Sequence, residues 1–412
     1  MIVYTHTTLP DGDLLQVIST LKHSMKSDKR NKSGFRQLIE WLHLWPSLVS
    51  AVIVIFVCIT GTIIVYCDEI IDWANSEVLY VQKTEDERIS EEKLYEIFMQ
   101  NYPDRRAPGY MVTYRGSQRS IKFNSYDPDK GLRLVYMDPY TGQILKDDGT
   151  IHFFYITAHL HNSLLLGKPG EWIVDVSTII FMIGLITGLV LWWPKKWNKT
   201  ETKKSFSINW KAKFKRVNYD LHNVLGFYAL SLTIVIAFTG LIIAFKPLAQ
   251  GTVSLFGGDP GHEWEEKLAT VDSTKAIAPM KDVMSHFYAK YPEIEAVQIS
   301  TYKLEKSGYY MIHPASFVGL KNYKGYVHCI DKYTGKEITL PEKVRLHEEI
   351  ENVWWMLHMG TWMGLWSKTL TFTAAIIATS LPITGFIIWW GKRRKKPKKK
   401  STRQYALENS EV

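Results

Sequence analysis

Cysteine is scarce. The 412 residues hold three, Cys58, Cys67 and Cys329, with no CxxC pair and no CxxCH. Covalent c-type haem attachment is excluded, a cysteine-built zinc site is disfavoured, and nothing demands a disulfide. No GxGxxG fingerprint follows a strand, and no other nicotinamide or flavin motif is recognisable. A cleavable signal with a small-residue cleavage site is also lacking; the first apolar run is long, has a basic flank and reads as a retained anchor. Met25 opens "MKSDKRNKSGF", an ordinary start for such a chain, so residues 1–24 read as a disordered leader or an over-called start.

What is present is segregated. A hydrophobic share of 46% and a mean hydropathy of −0.12 average over four apolar stretches, roughly 44–67, 172–193, 224–245 and 369–390. Each is long enough to cross a ~30 Å hydrocarbon core at 1.5 Å per residue. The sequence therefore predicts an α-helical membrane protein in contact with membrane lipid. Lysine and arginine crowd the N-terminal flank (Lys22, Lys26, Lys29, Arg30, Lys32, Arg36), the 194–216 connection and the tail "GKRRKKPKKKSTR". By the positive-inside rule these three segments share the cytoplasm, and two long polar insertions face outward. The net charge of +9 is then mostly anchoring charge, and nucleic acid is not an expected partner.

The expected order is a basic cytoplasmic segment (1–35), a first span (36–69), an outer module (70–149), and a surface helix with the second span (150–193). A basic loop (194–216), a third span (217–247), a second outer module (248–345), a surface helix with the fourth span (346–391) and a basic tail (392–412) complete it. Self-similarity supports a tandem two-fold repeat in this order. "FRQLIEWLHLWPSLVSAVIVIFVCITGTII" aligns with "FKRVNYDLHNVLGFYALSLTIVIAFTGLII". His43 and His222 each precede the glycine of a Thr-Gly pair, Gly61 and Gly240, by 18 positions; His161 and His358 precede Gly188 and Gly385 by 27. The insertions correspond as well, each predicting one helix (about 90–102 and 278–291) and three alternating β segments ending in a Tyr-Thr-Gly turn. Both halves run in the same direction, unlike an inverted transporter repeat.

A histidine at a membrane span is a functional candidate, although a single one commonly satisfies a helix interface. Four at matched positions, each in a Leu-His dipeptide, point further. The expected topology puts His43 and His222 near the cytoplasmic face and His161 and His358 near the outer one. A six-coordinate haem needs two imidazole nitrogens about 4 Å apart, given ~2 Å metal–nitrogen bonds. The pairs this permits are His43 with His222 and His161 with His358, giving two haem b groups across the bilayer. Gly61 and Gly240 lie five turns from their histidines, roughly 27 Å away, and are expected to flank the outer haem or to serve ordinary small-residue packing. Arg36 and Lys215, seven residues before His43 and His222, are candidates for the inner propionates or for snorkelling. A Gly-Lys-Pro-Gly break follows His161, so that histidine is expected on a short surface helix; His159 is the alternate ligand, although Met356 occupies its matching position. The tryptophans at 192, 193, 389 and 390 mark the inner interface and those at 172, 354, 355, 362 and 366 the outer one. His262, His286, His313, His328 and His347 show no metal-ligand spacing.

The four Leu-His positions, the "ITG…WW" span ends, the "HNSLLLG" run and the modules ending in "DPYTG" and "DKYTG" resemble the PepSY-associated transmembrane family over residues 33–392. The resemblance implies a bacterial inner-membrane protein with cytoplasmic termini, small periplasmic α/β (PepSY-like) modules and ligation by His43, His161, His222 and His358. One departure is "LHLWPS", where proline replaces a small residue near the first histidine. The implied activity is haem-dependent reduction of ferric siderophore, releasing Fe(II), with a quinol or a cytoplasmic reductase as electron donor and a periplasmic iron carrier as a further partner. The alternative is a membrane-tethered PepSY peptidase regulator with structural histidines.

Overall fold

The structure, a computed structural model, describes residues 33–82, 87–116, 118–194, 196–261, 264, 268, 271–301, 307–314 and 326–393. Of the expected 1–35 segment only its end is described, and of the 392–412 tail only its start; Met25 and His262 lie outside the described residues.

Apolar runs become helices because backbone groups must pair internally where water is absent. The first, α1 (Gly34–Ile64), begins at Ser33, whose hydroxyl accepts from the Arg36 amide at 3.3 Å, satisfying an otherwise orphaned donor. There follow α2 (Cys67–Ala74) and α3 (Glu91–Asn101). Strands β1 (Arg106–Tyr114), β2 (Ile121–Asp127), β3 (Gly131–Met137) and β4 (Ile144–Asp148) lead to α4 (Thr150–Ser163), α5 (Lys168–Trp192) and α6 (Lys199–Phe206). Next come α7 (Phe214–Ala244), interrupted by a π-turn at Leu221–Leu225, then α8 (Lys246–Leu255) and α9 (Met280–Lys290). The second strand set is β5 (Ala296–Ile299), β6 (Tyr309–Pro314), β7 (His328–Asp331) and β8 (Glu337–Ile338), followed by α10 (Glu342–Met359) and α11 (Leu365–Arg393).

Four helices, α1, α5, α7 and α11, are long and apolar enough to cross a membrane. Two of them, α1 and α7, start well before their apolar runs, because amphipathic flanks extend the helix: Arg36 pairs with Glu40 one turn along α1. Helix α1 packs against α5 and α11, and α7 packs against the same two. The four spans thus form a ring in which α1 and α7 stand on one diagonal. The short helices α4 and α10 pack against α1 and α7 respectively.

The strands depart from the sequence expectation. Among the described residues each insertion contributes four strands, not three, and all eight form one antiparallel sheet in the order β4-β3-β2-β1-β5-β6-β7-β8. The extra strand in each set follows the Tyr-Thr-Gly turn and is too short to show alternation by itself. Asp138 Oδ1 accepts from the amides of Tyr140 and Thr141, Asp331 Oδ1 from those of Tyr333 and Thr334, and Gly142 and Gly335 close the turns at φ 71° and 66°. The two sets meet where β1 pairs β5, Met111 opposite Ile299 through Tyr114 opposite Ala296. Under α3 and α9 the sheet buries Phe98, Phe123, Val297 and Phe287. On the far face, Ile151 and Phe154 of α4 pack with Leu134 and Tyr136, and Val344 of α10 packs with Met311 and Cys329.

Candidate functional site: two facing imidazole pairs

Helices α1 and α7, across the ring from one another, carry His43 and His222 with ring centres 6.2 Å apart. The ends of α4 and α10 bring His161 and His358 to the same 6.2 Å. Gly61, which touches His161, is 18 residues along α1 from His43, so the pairs are separated by roughly 27 Å of helix.

Each ring is held from its own half of the chain. His43 Nδ1 lies 3.0 Å from the Gly184 carbonyl and 3.3 Å from Thr187 Oγ1 on α5. His161 Nδ1 lies 2.9 Å from the Val57 carbonyl and 3.2 Å from Thr60 Oγ1 on α1. His358 repeats this on α7, with the Ile236 carbonyl at 2.9 Å and Thr239 Oγ1 at 3.3 Å. A carbonyl only accepts, so in these three rings Nδ1 carries the proton and Nε2 presents its lone pair. His222 Nδ1 meets Thr384 Oγ1 at 2.9 Å. That hydroxyl donates to carbonyls of its own helix, Ser380 at 2.8 Å and Leu381 at 3.1 Å, so it accepts from His222 and fixes the same tautomer. Among the described residues no hydrogen bond occupies any of the four Nε2 atoms.

Glycine makes the approach possible. A Cβ on Gly61 would stand 2.8 Å from His161 Cε1, and one on Gly240 2.9 Å from His358 Cε1. On Gly188 and Gly385 it would stand 3.1 and 3.2 Å from Cε1 of His43 and His222. Gly61 and Gly240 were expected beside the outer haem; they lie directly against the imidazoles. Threonine and glycine thus act together in all four spans: the hydroxyl or a nearby carbonyl orients the ring, and the bare Cα admits it. In the sequence Gly188 and Gly385 stand out only as repeat landmarks and the four threonines not at all, although every span carries the Thr-Gly dipeptide.

Two rings sharing one metal at ~2 Å bonds have their centres roughly 6 Å apart, and carbonyl-bound Nδ1–H groups are the usual outer partners of metal-ligating imidazoles. Both pairs therefore fit a bis-imidazole haem. Among the described residues no group of three or more histidine, cysteine or acidic side chains is arranged to hold a metal ion.

The remaining predicted residues lie elsewhere. His159 Nδ1 meets its own helix at the Tyr155 carbonyl, 2.9 Å, and its ring lies against Tyr155; it does not join His358. The Arg36 side chain is occupied by Glu40 at 3.3 Å, and Lys215 is exposed. His328, left as ordinary by the sequence, is buried between Phe287 and Tyr291, with Nδ1 2.7 Å from Glu337 Oε1. Burial holds its pKa below the usual histidine value, despite the opposing pull of Glu337.

These features define a multi-pass membrane protein with two imidazole pairs across a four-helix ring. The chain belongs to the PepSY-associated TM region family, whose pattern matches residues 40–392. No curated protein matches it.

Proposed function

We propose that this protein is a di-haem b transmembrane electron-transfer protein that reduces periplasmic ferric iron, bound by a siderophore or another chelate, and releases Fe(II) for uptake. The observation that carries the reading is the fixed tautomer of four imidazoles, arranged in two facing pairs. His43 and His222 would hold one haem, and His161 and His358 the other. When bound, the two haems supply one-electron redox centres near the two faces of the bilayer.

The chain's own residues do the rest. Backbone carbonyls and threonine hydroxyls keep each Nδ1 protonated, so Nε2 stays a donor and the ring cannot rotate. The glycines let the rings sit deep between helices, where the apolar spans exclude water. One electron delivered to a ferric chelate converts Fe(III) to Fe(II), which hard oxygen donors hold far more weakly, so the metal leaves. In this reading the halves arose by tandem duplication, both strand sets are PepSY-like modules in the periplasm, and both termini are in the cytoplasm of a bacterial inner membrane. A quinol or a cytoplasmic reductase is the electron source, and a periplasmic carrier takes the ferrous ion.

Protein purified from haem-replete cells should be red, with a bis-imidazole b-type spectrum and two haems per chain by alkaline pyridine assay. After reduction by a quinol analogue, a ferric hydroxamate or catecholate should reoxidise it while a ferrous-specific dye traps Fe(II). A colourless preparation would overturn the proposal.

A further inference from the structure

We propose that the seam between α1 and α11 holds one anionic phospholipid at the basic end of the bundle, with an acyl chain in an apolar groove and the phosphate on Arg393.

The two ends of this seam differ. At one end protein closes it: Tyr66 Oη meets Thr369 Oγ1 at 3.0 Å, and the buried Lys368 ammonium donates to Glu69 at 2.7 and 2.9 Å. At the other end it opens into a groove of about 500 Å³, lined chiefly by Trp45, Leu48, Val52, Pro382, Ile383 and Trp389. The lining is apolar, and Val52 is 75% exposed, so no described part of the chain covers it.

The mouth is charged. Trp45 and Trp389 meet edge to face, 6.4 Å between ring centres. The Arg393 guanidinium stands 4.7 Å from the Trp389 centre and 5.8 Å from that of Trp45. Among the described residues no carboxylate pairs with Arg393, and Lys392 precedes it. The sequence continues "RKKPKKK". An apolar slot below an uncompensated guanidinium complements an amphiphile with an anionic head: the slot takes the chain, and the arginine stacked on indoles takes the phosphate. A zwitterionic lipid fills the slot without supplying net counter-charge, and a free phosphate supplies charge without filling it. Because α1 and α11 come from opposite halves of the chain, this lipid bridges the halves beside the His43–His222 pair.

The test uses full-length protein, delipidated in detergent and titrated with phosphatidylglycerol, phosphatidylcholine, glycerophosphate or a short-chain ubiquinol. Native mass spectrometry and thermal unfolding are the readouts. Phosphatidylglycerol should remain at one per chain and raise Tm, with phosphatidylcholine and glycerophosphate much weaker. Arg393→Gln should weaken retention roughly fivefold, the scale of one basic contact to an anionic lipid. Val52→Trp, on the lipid-facing wall, should abolish retention while keeping the cation. Equal binding of both phospholipids, or indifference to both variants, overturns the proposal. So does an equal effect of glycerophosphate, which marks a simple anion site, or displacement of phosphatidylglycerol by ubiquinol, which marks a quinol site.

Discussion

The two imidazole pairs have the same ring spacing but different carriers. His43 and His222 sit within spans, and their rings are held by other spans, His43 by Gly184 and Thr187 of α5 and His222 by Thr384 of α11. His161 and His358 sit at the ends of α4 and α10, short helices whose first turns are seated on the sheet through Ile151, Phe154 and Val344. The first pair is set by the bundle alone, whereas the second is set by the bundle at one end of each short helix and by the sheet at the other. A disturbance of the sheet therefore has a route to the His161–His358 pair that it lacks to the His43–His222 pair. The inner pair has its own asymmetry. His222 lies in a π-turn, a feature that often marks functional positions in helices, whereas His43 lies in regular α-helix.

Losing a ligand should have the largest effect and separate the two pairs most clearly. His161→Ala should remove the outer haem and abolish ferric-chelate reduction, while His222→Ala should remove only the inner haem; pigment analysis and redox difference spectra distinguish them. If His159→Ala, and not His161→Ala, abolished reduction, the outer pairing would be wrong. Next in size is a break between the strand sets. Val297→Pro, opposite Thr113 across the β1–β5 seam, removes a ladder donor in a central strand; the outer haem should be lost or spectrally altered with the inner one retained. Loss of both in parallel would show that the pairs are not separable.

Gly61→Ala forces the tightest contact on a pinned ring, and overpacking of this kind costs about 1–3 kcal/mol. It should disturb the outer haem more than Gly385→Ala disturbs the inner. Thr384→Val and Thr60→Val should each loosen their ring by no more than about 1 kcal/mol, because the Leu381 and Val57 carbonyls still hold His222 and His161; haem dissociation rates measure both. Glu337→Gln should lower Tm slightly. Lys290, His328 and Tyr291 hold the Glu337 carboxyl below its usual range against the cost of burial. A depressed pKa stabilises above the unfolded value of about 4.3, so the difference from wild type should be full at neutral pH. It should shrink as pH falls through the folded pKa.

Spans, histidine positions and the helix of each insertion were legible because they follow from periodicity and spacing. The Leu-His and Thr-Gly landmarks recur at equal intervals, so the pairing could be argued from length alone. The contacts within each pair were less legible: that Thr60 and Gly61 embrace His161, 100 residues away or more, depends on how α4 lies on α1, which no local pattern encodes. β4 and β8 were missed because strands of five and two residues show too little alternation. The joining of β1 to β5 was invisible for a related reason: edge pairing depends on backbone groups every strand possesses. His328 was passed over because its partner, Glu337, lies on the next strand rather than at ligand spacing.

The β1–β5 seam also has a consequence for biogenesis. Residues 111–114 must wait for residues 296–299, an interval of about 10–40 s at 5–20 residues per second. During that time the first four strands present an unsatisfied hydrogen-bonding border to whatever else is nearby. A nascent chain stalled between the halves should be the form most prone to clump, and a holding factor at the ribosome exit or membrane would act in that window.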